Sequence, residues 1–198
     1  MESNSASSVN FLADKEFRLS VFQTGQKYLI NTLFDTVNSI LGVVIGLYLA
    51  DEQNAYVFIM SIISTAIALG ISSGTSIYEA EYFEQLRDIK EIEKHMITNF
   101  KEKNPIVAKK AKTMGLFVGI INFLTPLLIA LVLVLILLTM PNLAGAFWAI
   151  MGFSGLVLFG SGIIFGKMNQ LPPIKRGVRM LIIGFLTFAA VYTVGYLF

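Results

Sequence analysis

The sequence contains no cysteine, one histidine and one tryptophan among its 198 residues. Without cysteine there is no disulfide framework, no thiolate metal site and no thiol nucleophile. Charge is also scarce, because only 14% of the residues are Asp, Glu, Lys or Arg, whereas about 25% is usual in a soluble domain. The net charge of +2 is too small to indicate a nucleic-acid partner.

Apolar residues are correspondingly abundant, at 55% of the chain with a mean hydropathy of +0.71. One core of this size cannot hide so many apolar side chains, so a lipid bilayer is the expected solvent. Five apolar stretches each approach the roughly 20 residues that cross a membrane as a helix. The predicted fold class is an all-α membrane protein with five transmembrane helices. The stretches lie at about 29–50, 55–78, 114–139, 144–166 and 178–198.

The positive charges fall on one side of this pattern. All 15 Lys and Arg residues precede the first stretch, separate the second from the third, or lie around the junction of the fourth and fifth. Because positively charged loops stay in the cytoplasm, we predict a multi-pass protein with a cytoplasmic N-terminus and a C-terminus on the opposite side. Residues 1–10 are polar, so we expect no cleaved signal peptide.

The second helix is predicted to extend into the cytoplasm, since residues 79–104 contain no Gly or Pro. Residues 11–27 read either as a short amphipathic helix on the membrane surface or as a leader without fixed contacts. The predicted organisation is a cytoplasmic N-terminal segment (1–28), transmembrane helices 1 and 2 (29–78), a cytoplasmic amphipathic helical segment (79–113) and transmembrane helices 3 to 5 (114–198).

The first stretch carries Asp35 about two turns inside its cytoplasmic end. A charge at that depth costs several kcal/mol unless it is paired, protonated or bound to a cation. No Lys or Arg lies in the interior of any stretch, so a mobile cation or a proton is the expected counter-charge. Asn38 and Ser39 add oxygen ligands one turn later. The alternative is a protonated Asp35 with a structural hydrogen bond.

Two further polar positions are predicted at similar depth. Ser72 and Glu79 end the second stretch and suit a polar groove beside Asp35, unless the hydroxyls only bond carbonyls four residues back. In the third stretch Asn122 precedes Pro126 by one turn. Such a proline frees a backbone carbonyl, which marks either a kink packed by neighbours or a ligand oxygen.

Beyond the second stretch, acidic residues recur at helical spacing. Glu84, Asp88, Glu91 and His95 are four, three and four residues apart and share one helical face, as carboxylate–histidine metal sites on helices require. The alternative is a solvated charged face with no bound metal.

Two short motifs also need weighing. Three Gly-x-x-x-Gly pairs, at 42/46, 70/74 and 162/166, are typical of close helix packing in lipid.

The residues around Ser72 fit Gly-x-Ser-x-Gly, a serine nucleophile pattern. A serine nucleophile needs a base within hydrogen-bond reach. The only histidine is 23 residues further on, or roughly 35 Å along one helix, so proteolysis is not favoured.

These stretches resemble the vacuolar iron transporter family of divalent-cation transporters. The family's first helix carries Asp-Gly with further glycines seven and eleven residues after the Asp, the spacing of Asp35, Gly42 and Gly46. Its second helix carries Ser-Met-Gly-x-Gly-x-Tyr followed by acidic residues, to which residues 72–84 (SSGTSIYEAEYFE) are similar. The Asn-x-x-x-Pro of the third stretch and the five-span order are also similar.

The resemblance implies a homodimer in the lipid bilayer that moves Fe²⁺ or Mn²⁺ out of the cytoplasm in exchange for protons. It implies no enzyme activity and no cofactor. Asp35 would be an intramembrane ligand near the dimer axis, and the glutamates after Tyr78 would collect the metal. The predicted metal-site residues are Asp35, Asn38, Ser72, Glu79, Glu81, Glu84, Asp88, Glu91, His95 and Asn122.

The sequence also departs from that family pattern. Thr36 replaces the Gly after the Asp, Ser73 replaces the methionine, and other intramembrane carboxylates are matched by Tyr28 and Thr65. Without sulfur, the oxygen-rich site suits Mn²⁺, Ca²⁺ or Mg²⁺ comparably with Fe²⁺. The alternative function from another class is a non-transporting membrane scaffold, whose small-residue faces and 79–113 helix bind partner proteins.

Overall fold

The computed structural model describes residues 15–95 and 105–197, without the side chains at 15–18, 20, 88–90, 92–95 and 105–110. These residues form helices joined by short turns, and no strand occurs among them. All five helices contain a segment long and apolar enough to cross a membrane. The predicted five-span, all-α class is therefore confirmed. The helices are α1 (Lys15–Leu49), α2 (Ala55–His95), α3 (Pro105–Thr139), α4 (Leu143–Met168) and α5 (Pro173–Leu197).

Three helices are clearly longer than the predicted apolar stretches: α1, α2 and α3, which starts at Pro105 instead of about 114. α1 starts at Lys15, so the amphipathic region before the first span continues into that span without a break. Its apolar part is Val21–Leu49, which puts Asp35 midway along the span instead of about two turns from one end. α2 has 41 residues, or roughly 60 Å, about twice the thickness of the hydrocarbon layer. It therefore protrudes from the membrane, as predicted.

Tight, capped turns join α1 to α2 and α3 to α4. At the end of α1, Asp51 takes φ 54° and the Glu52 N–H donates to the Leu47 carbonyl at 3.1 Å, which is a Schellman ending. At the start of α4, the Asn142 side chain accepts from the Gly145 N–H at 2.7 Å and satisfies a free helix donor. Such short turns make successive helices antiparallel.

α1 is the centre of the bundle. α2 and α3 pack closely as one pair, α4 and α5 as another, and α1 contacts both pairs. Its inner face is almost completely buried, with Val37, Ile40 and Val44 no more than 1% exposed. We call the end at which α1 starts the basic end, because the described lysines and arginines, among them Lys27 and Lys112, lie toward it.

Glycines bring the paired helices into backbone contact. A Cβ placed at Gly119 of α3 would lie 2.9 Å from the Gly74 carbonyl oxygen of α2, and one at Gly162 would lie 2.7 Å from the Gly177 Cα of α5. Both distances are too short for a side chain, so these faces are packing faces, as predicted. A Cβ at Gly46 would meet nothing within 4 Å, and one at Gly42 would lie 4.0 Å from the Val191 side chain of α5, so the 42/46 pair is packed more loosely than the other two predicted pairs.

Candidate cation site

Asp35 lies on the exposed side of α1, midway along the apolar part of the helix. Within the described ranges, its carboxylate has no hydrogen-bond partner and no ionic partner. A charge at the membrane centre costs roughly 2.5–3.5 kcal/mol on insertion scales. No described group of this chain offsets that cost, so the carboxylate requires a proton, a cation or a second chain.

Asp35 belongs to a longer line of polar side chains, which we call the polar stripe of α1. The line continues toward Gly46, where the space beside the helix is open. Lipid cannot hydrogen-bond these groups, so their exposure along a membrane-spanning helix is energetically unfavourable. Its members recur every fourth residue and all are exposed: Gln23, Lys27, Asn31, Asp35 and Ser39.

Asn38, one turn from Asp35, is engaged in a different contact. Its amide nitrogen donates to the Phe34 carbonyl at 3.1 Å, and its amide oxygen accepts from the Thr187 hydroxyl of α5 at 3.3 Å. The side chain therefore joins α1 to α5. The amide oxygen has two lone pairs, so accepting this hydrogen bond leaves one of them for a ligand, and Asn38 stays a predicted member of the site.

Asn122 is 0% exposed and lies where α1, α2 and α3 meet. Its amide oxygen accepts from the Thr32 hydroxyl at 2.7 Å, and its amide nitrogen donates to the Val118 carbonyl at 2.8 Å. The carbonyl that Pro126 leaves without a helix donor is that of Asn122, and the Ser73 hydroxyl donates to it at 3.3 Å. Neighbouring side chains thus satisfy the proline site.

Two threonines of α1 also belong to this junction, although the sequence did not predict them there. Thr32 makes the hydrogen bond to Asn122, and Thr36 is 1% exposed with a hydroxyl that has no hydrogen-bond partner among the described residues. The available signal was their spacing, since Tyr28, Thr32 and Thr36 are four residues apart. That spacing puts their side chains on successive turns of one helix.

The hydrogen bonds also show which candidate ligands lie at the same depth along the bundle. Thr32 and Ser73 both bond to Asn122, so they lie at one depth. At about 1.5 Å per residue, Asp35 lies roughly 4–5 Å beyond that level, close to Ser72. Glu79 lies about 9 Å in the other direction. The structure therefore brings Ser72, but not Glu79, near the depth of Asp35.

Glu81 is unlike the other acidic residues of α2, because it is only 3% exposed. Its carboxylate accepts a hydrogen bond from the Gln85 side chain at 3.0 Å. Tyr28 of α1 lies near Glu81 and Glu84 of α2.

The remaining predicted ligands are spread along α2. Glu79, Glu84 and Glu91 are exposed, while the side chains of Asp88 and His95 lie outside the described set. In the part of the chain that the structure describes, no three acidic or histidine side chains form a group that could hold a metal ion. α2 is unbroken from Ser72 to His95, which agrees with the roughly 35 Å separation that disfavours a serine protease.

Comparison with known proteins identifies the family. A sequence model of the VIT family matches residues 79–196, which is more than half of the chain. The chain belongs to the VIT family. It is also 27% identical over 160 residues to an uncharacterized protein of Methanocaldococcus jannaschii, covering 80% of this chain and 82% of that protein.

Family membership and the five apolar helices together make this chain an integral, multi-pass membrane protein of a metal-ion transport family. The matched region begins at Glu79 and covers the end of α2 together with α3, α4 and α5. Asp35, Asn38 and Ser72 lie before it. Their assignment as ligands therefore rests on their own chemistry and position.

Proposed function

We propose that this VIT-family protein transports a divalent cation, Fe²⁺ or Mn²⁺, out of the cytoplasm in exchange for protons. The observation that carries the proposal is Asp35, a carboxylate midway along an apolar helix with no partner among the described residues. An ionisable group inside a membrane span typically marks an ion or proton pathway. Family membership supports metal ions as the cargo.

The proposed site is completed by a second copy of the chain. One protomer offers Asp35 and the hydroxyl of Ser39 on the same exposed stripe, whereas octahedral oxygen coordination is typical of Mn²⁺. Two stripes facing each other would double these ligands and remove the polar side chains from lipid. The open space beside Gly46 allows a second helix to approach closely there.

Exposed glutamates on the protruding part of α2 would collect the cation before it enters the membrane. Glu84 and Glu91 are exposed, whereas the burial of Glu81 and its hydrogen bond from Gln85 make it a less accessible ligand. Protons would then compete with the cation for Asp35 and release it on the far side. Carboxylate and hydroxyl oxygens without sulfur suit Mn²⁺ as well as Fe²⁺.

The decisive experiment is cation uptake into proteoliposomes, with Fe²⁺, Mn²⁺ and Ca²⁺ tested separately, with and without a pH gradient. We expect saturable uptake of Fe²⁺ or Mn²⁺ that a pH gradient accelerates. Asp35→Asn removes the intramembrane charge with little change in volume and should reduce uptake at least tenfold, the equivalent of about 1.4 kcal/mol.

Asp51→Asn is the matched control, because Asp51 lies in the turn after α1 and asparagine tolerates its left-handed backbone. It should transport like the wild type. If Asp35→Asn transports normally, the carboxylate is not part of the pathway. If a folded wild-type protein moves none of the three ions in either condition, the scaffold function replaces transport.

A further inference from the structure

A groove lies along the seam between α2 and α3. Its volume is about 310 Å³, and its floor contains Gly74 and Gly119, which are in backbone contact. Ile71, Ile120 and Phe123 form part of its walls. α3 meets α1 through Asn122, whereas Ile120 and Phe123 project toward other sides of the helix. The groove is therefore on the outer surface of the protomer and faces lipid.

The lining of the groove suits a hydrocarbon chain. Thr75 and Tyr78 are its only polar side chains, and no charged residue lines it. A second, separate hollow of about 160 Å³, lined by Ile63, Leu127, Leu131 and other apolar residues, lies further along the same seam. The seam thus presents two apolar hollows, and a lipid acyl chain suits this lining.

Lys112 marks the end of the groove at the basic end of the bundle. It is exposed and lies one turn before Leu116, which lines the groove. A Cβ at Gly115 would lie 3.0 Å from the Tyr78 carbonyl and 3.5 Å from the Tyr82 nitrogen, so Lys112 lies near the depth of Tyr82. Tyrosines are enriched at membrane–water interfaces, which places the Lys112 ammonium at the level of the lipid headgroups.

The length of the groove matches one leaflet. From Lys112 to Phe123 the helix rises roughly 16 Å, about half of the roughly 30 Å hydrocarbon layer. We propose that this groove binds an anionic phospholipid of the leaflet at the basic end, with an acyl chain along the glycine floor and the phosphate at Lys112. The proposal concerns a surface separate from Asp35 and does not depend on transport.

The test is native mass spectrometry of the purified protein with phosphatidylglycerol and phosphatidylcholine of identical acyl chains, added in equal amounts. We expect the wild type to retain the anionic lipid about fivefold more than the zwitterionic one, which is the effect typical of one lysine near the headgroups. Lys112→Gln should bring this ratio close to one. Lys175→Gln is the control, because Lys175 is an exposed lysine at the basic end on a different helix.

A second pair of variants tests the acyl-chain part of the site. Ile120→Trp fills the groove from its wall and should lower retention of both lipids several-fold. Leu128→Trp is the control, because Leu128 is 61% exposed on the same helix but does not line the groove. Both variants change only lipid-exposed side chains, so the fold should be retained.

Three results would overturn the proposal. If Lys112→Gln keeps the wild-type lipid ratio, Lys112 does not bind the headgroup. If Ile120→Trp retains as much lipid as Leu128→Trp, no acyl chain binds in the groove. Ile120→Trp could instead lower the oligomeric mass while lipid retention is unchanged, which would identify the groove as a contact between copies of this chain.

Discussion

Thr32 and Thr36 lie one turn apart on α1, and both are buried, yet their hydroxyls have different surroundings. The Thr32 hydroxyl donates to Asn122 at 2.7 Å, whereas the Thr36 hydroxyl has no partner among the described residues. A buried polar group without a hydrogen bond costs about 1–3 kcal/mol. Two chemically identical neighbours should therefore respond in opposite ways when the hydroxyl is replaced by a methyl group.

We predict that Thr36→Val raises the free energy of unfolding by about 1 kcal/mol, because valine has the same shape and leaves no unpaired hydroxyl. Thr32→Val should lower it by about 0.6–1.7 kcal/mol, the range measured for hydrogen bonds between membrane helices. Denaturant unfolding in detergent micelles measures both. A loss of stability in Thr36→Val would show that its hydroxyl has a partner such as a bound water.

The sequence predicts Asn122 as a ligand or as part of a packed proline kink, but it does not reveal the hydrogen-bond partners of the side chain. The partner Thr32 is 90 residues away in the chain, so the contact exists only once α1 and α3 have packed. The same holds for Asn38, whose amide oxygen accepts from Thr187, 149 residues away. Hydrogen bonds of this kind orient these polar groups, and local spacing carries no information about them.

At the scale of the helix, α1 has two unlike faces. Its inner face packs against all four other helices, and its outer face carries the polar stripe. The Gly-x-x-x-Gly pairs at 42/46, 70/74, 115/119 and 162/166 look equivalent in the sequence. In the structure a neighbouring helix fills the last three, whereas a Cβ at Gly46 would meet nothing within 4 Å and one at Gly42 would lie 4.0 Å from Val191. In the proposed homodimer, the open space beside Gly46 and the polar stripe would form the contact between the two copies.

We predict that Gly46→Trp dissociates the proposed homodimer without unfolding the protomer, since nothing lies within 4 Å of a Cβ at that position. Overpacking at a helix contact costs about 1–3 kcal/mol, so the dimer dissociation constant should rise roughly 5- to 150-fold. Light scattering coupled to size-exclusion chromatography measures the mass of the detergent-solubilised protein over a range of concentrations.

Gly152→Trp is the matched control, because Gly152 of α4 also has nothing within 4 Å of a Cβ and is exposed. It should leave the dissociation constant unchanged. Equal weakening by both variants, or a monomeric wild type, would contradict a dimer formed through the outer face of α1.

For the whole molecule, the distribution of charge predicts its direction in the membrane. All 15 Lys and Arg residues lie toward one end, and the turns at 51–54 and 140–143 contain none. Positively charged segments near transmembrane helices are retained in the cytoplasm. The basic end, with the protruding part of α2, should therefore face the cytoplasm, as the proposed capture of metal by Glu84 and Glu91 requires.

The absence of cysteine makes this orientation directly testable with single introduced thiols. Gln53→Cys, in the turn between α1 and α2, should react with a membrane-impermeant maleimide in intact cells. Met168→Cys, at the exposed end of α4, should react only after the membrane is opened. The reverse pattern of labelling would show the opposite orientation and would contradict the proposed direction of transport.

The sequence by itself determined the fold class, the number of spans, the extension of α2 and the family resemblance. These features depend on hydrophobic runs, on Gly and Pro positions and on charge. These are local properties of the chain, and they determine how it inserts into the bilayer. The packed bundle is needed to show that distant threonines bond to Asn122 and Asn38, and that Asp35 has no partner among the described residues. Whether a polar group is satisfied depends on which helix packs against it, and α1 acquires those neighbours only when the bundle assembles.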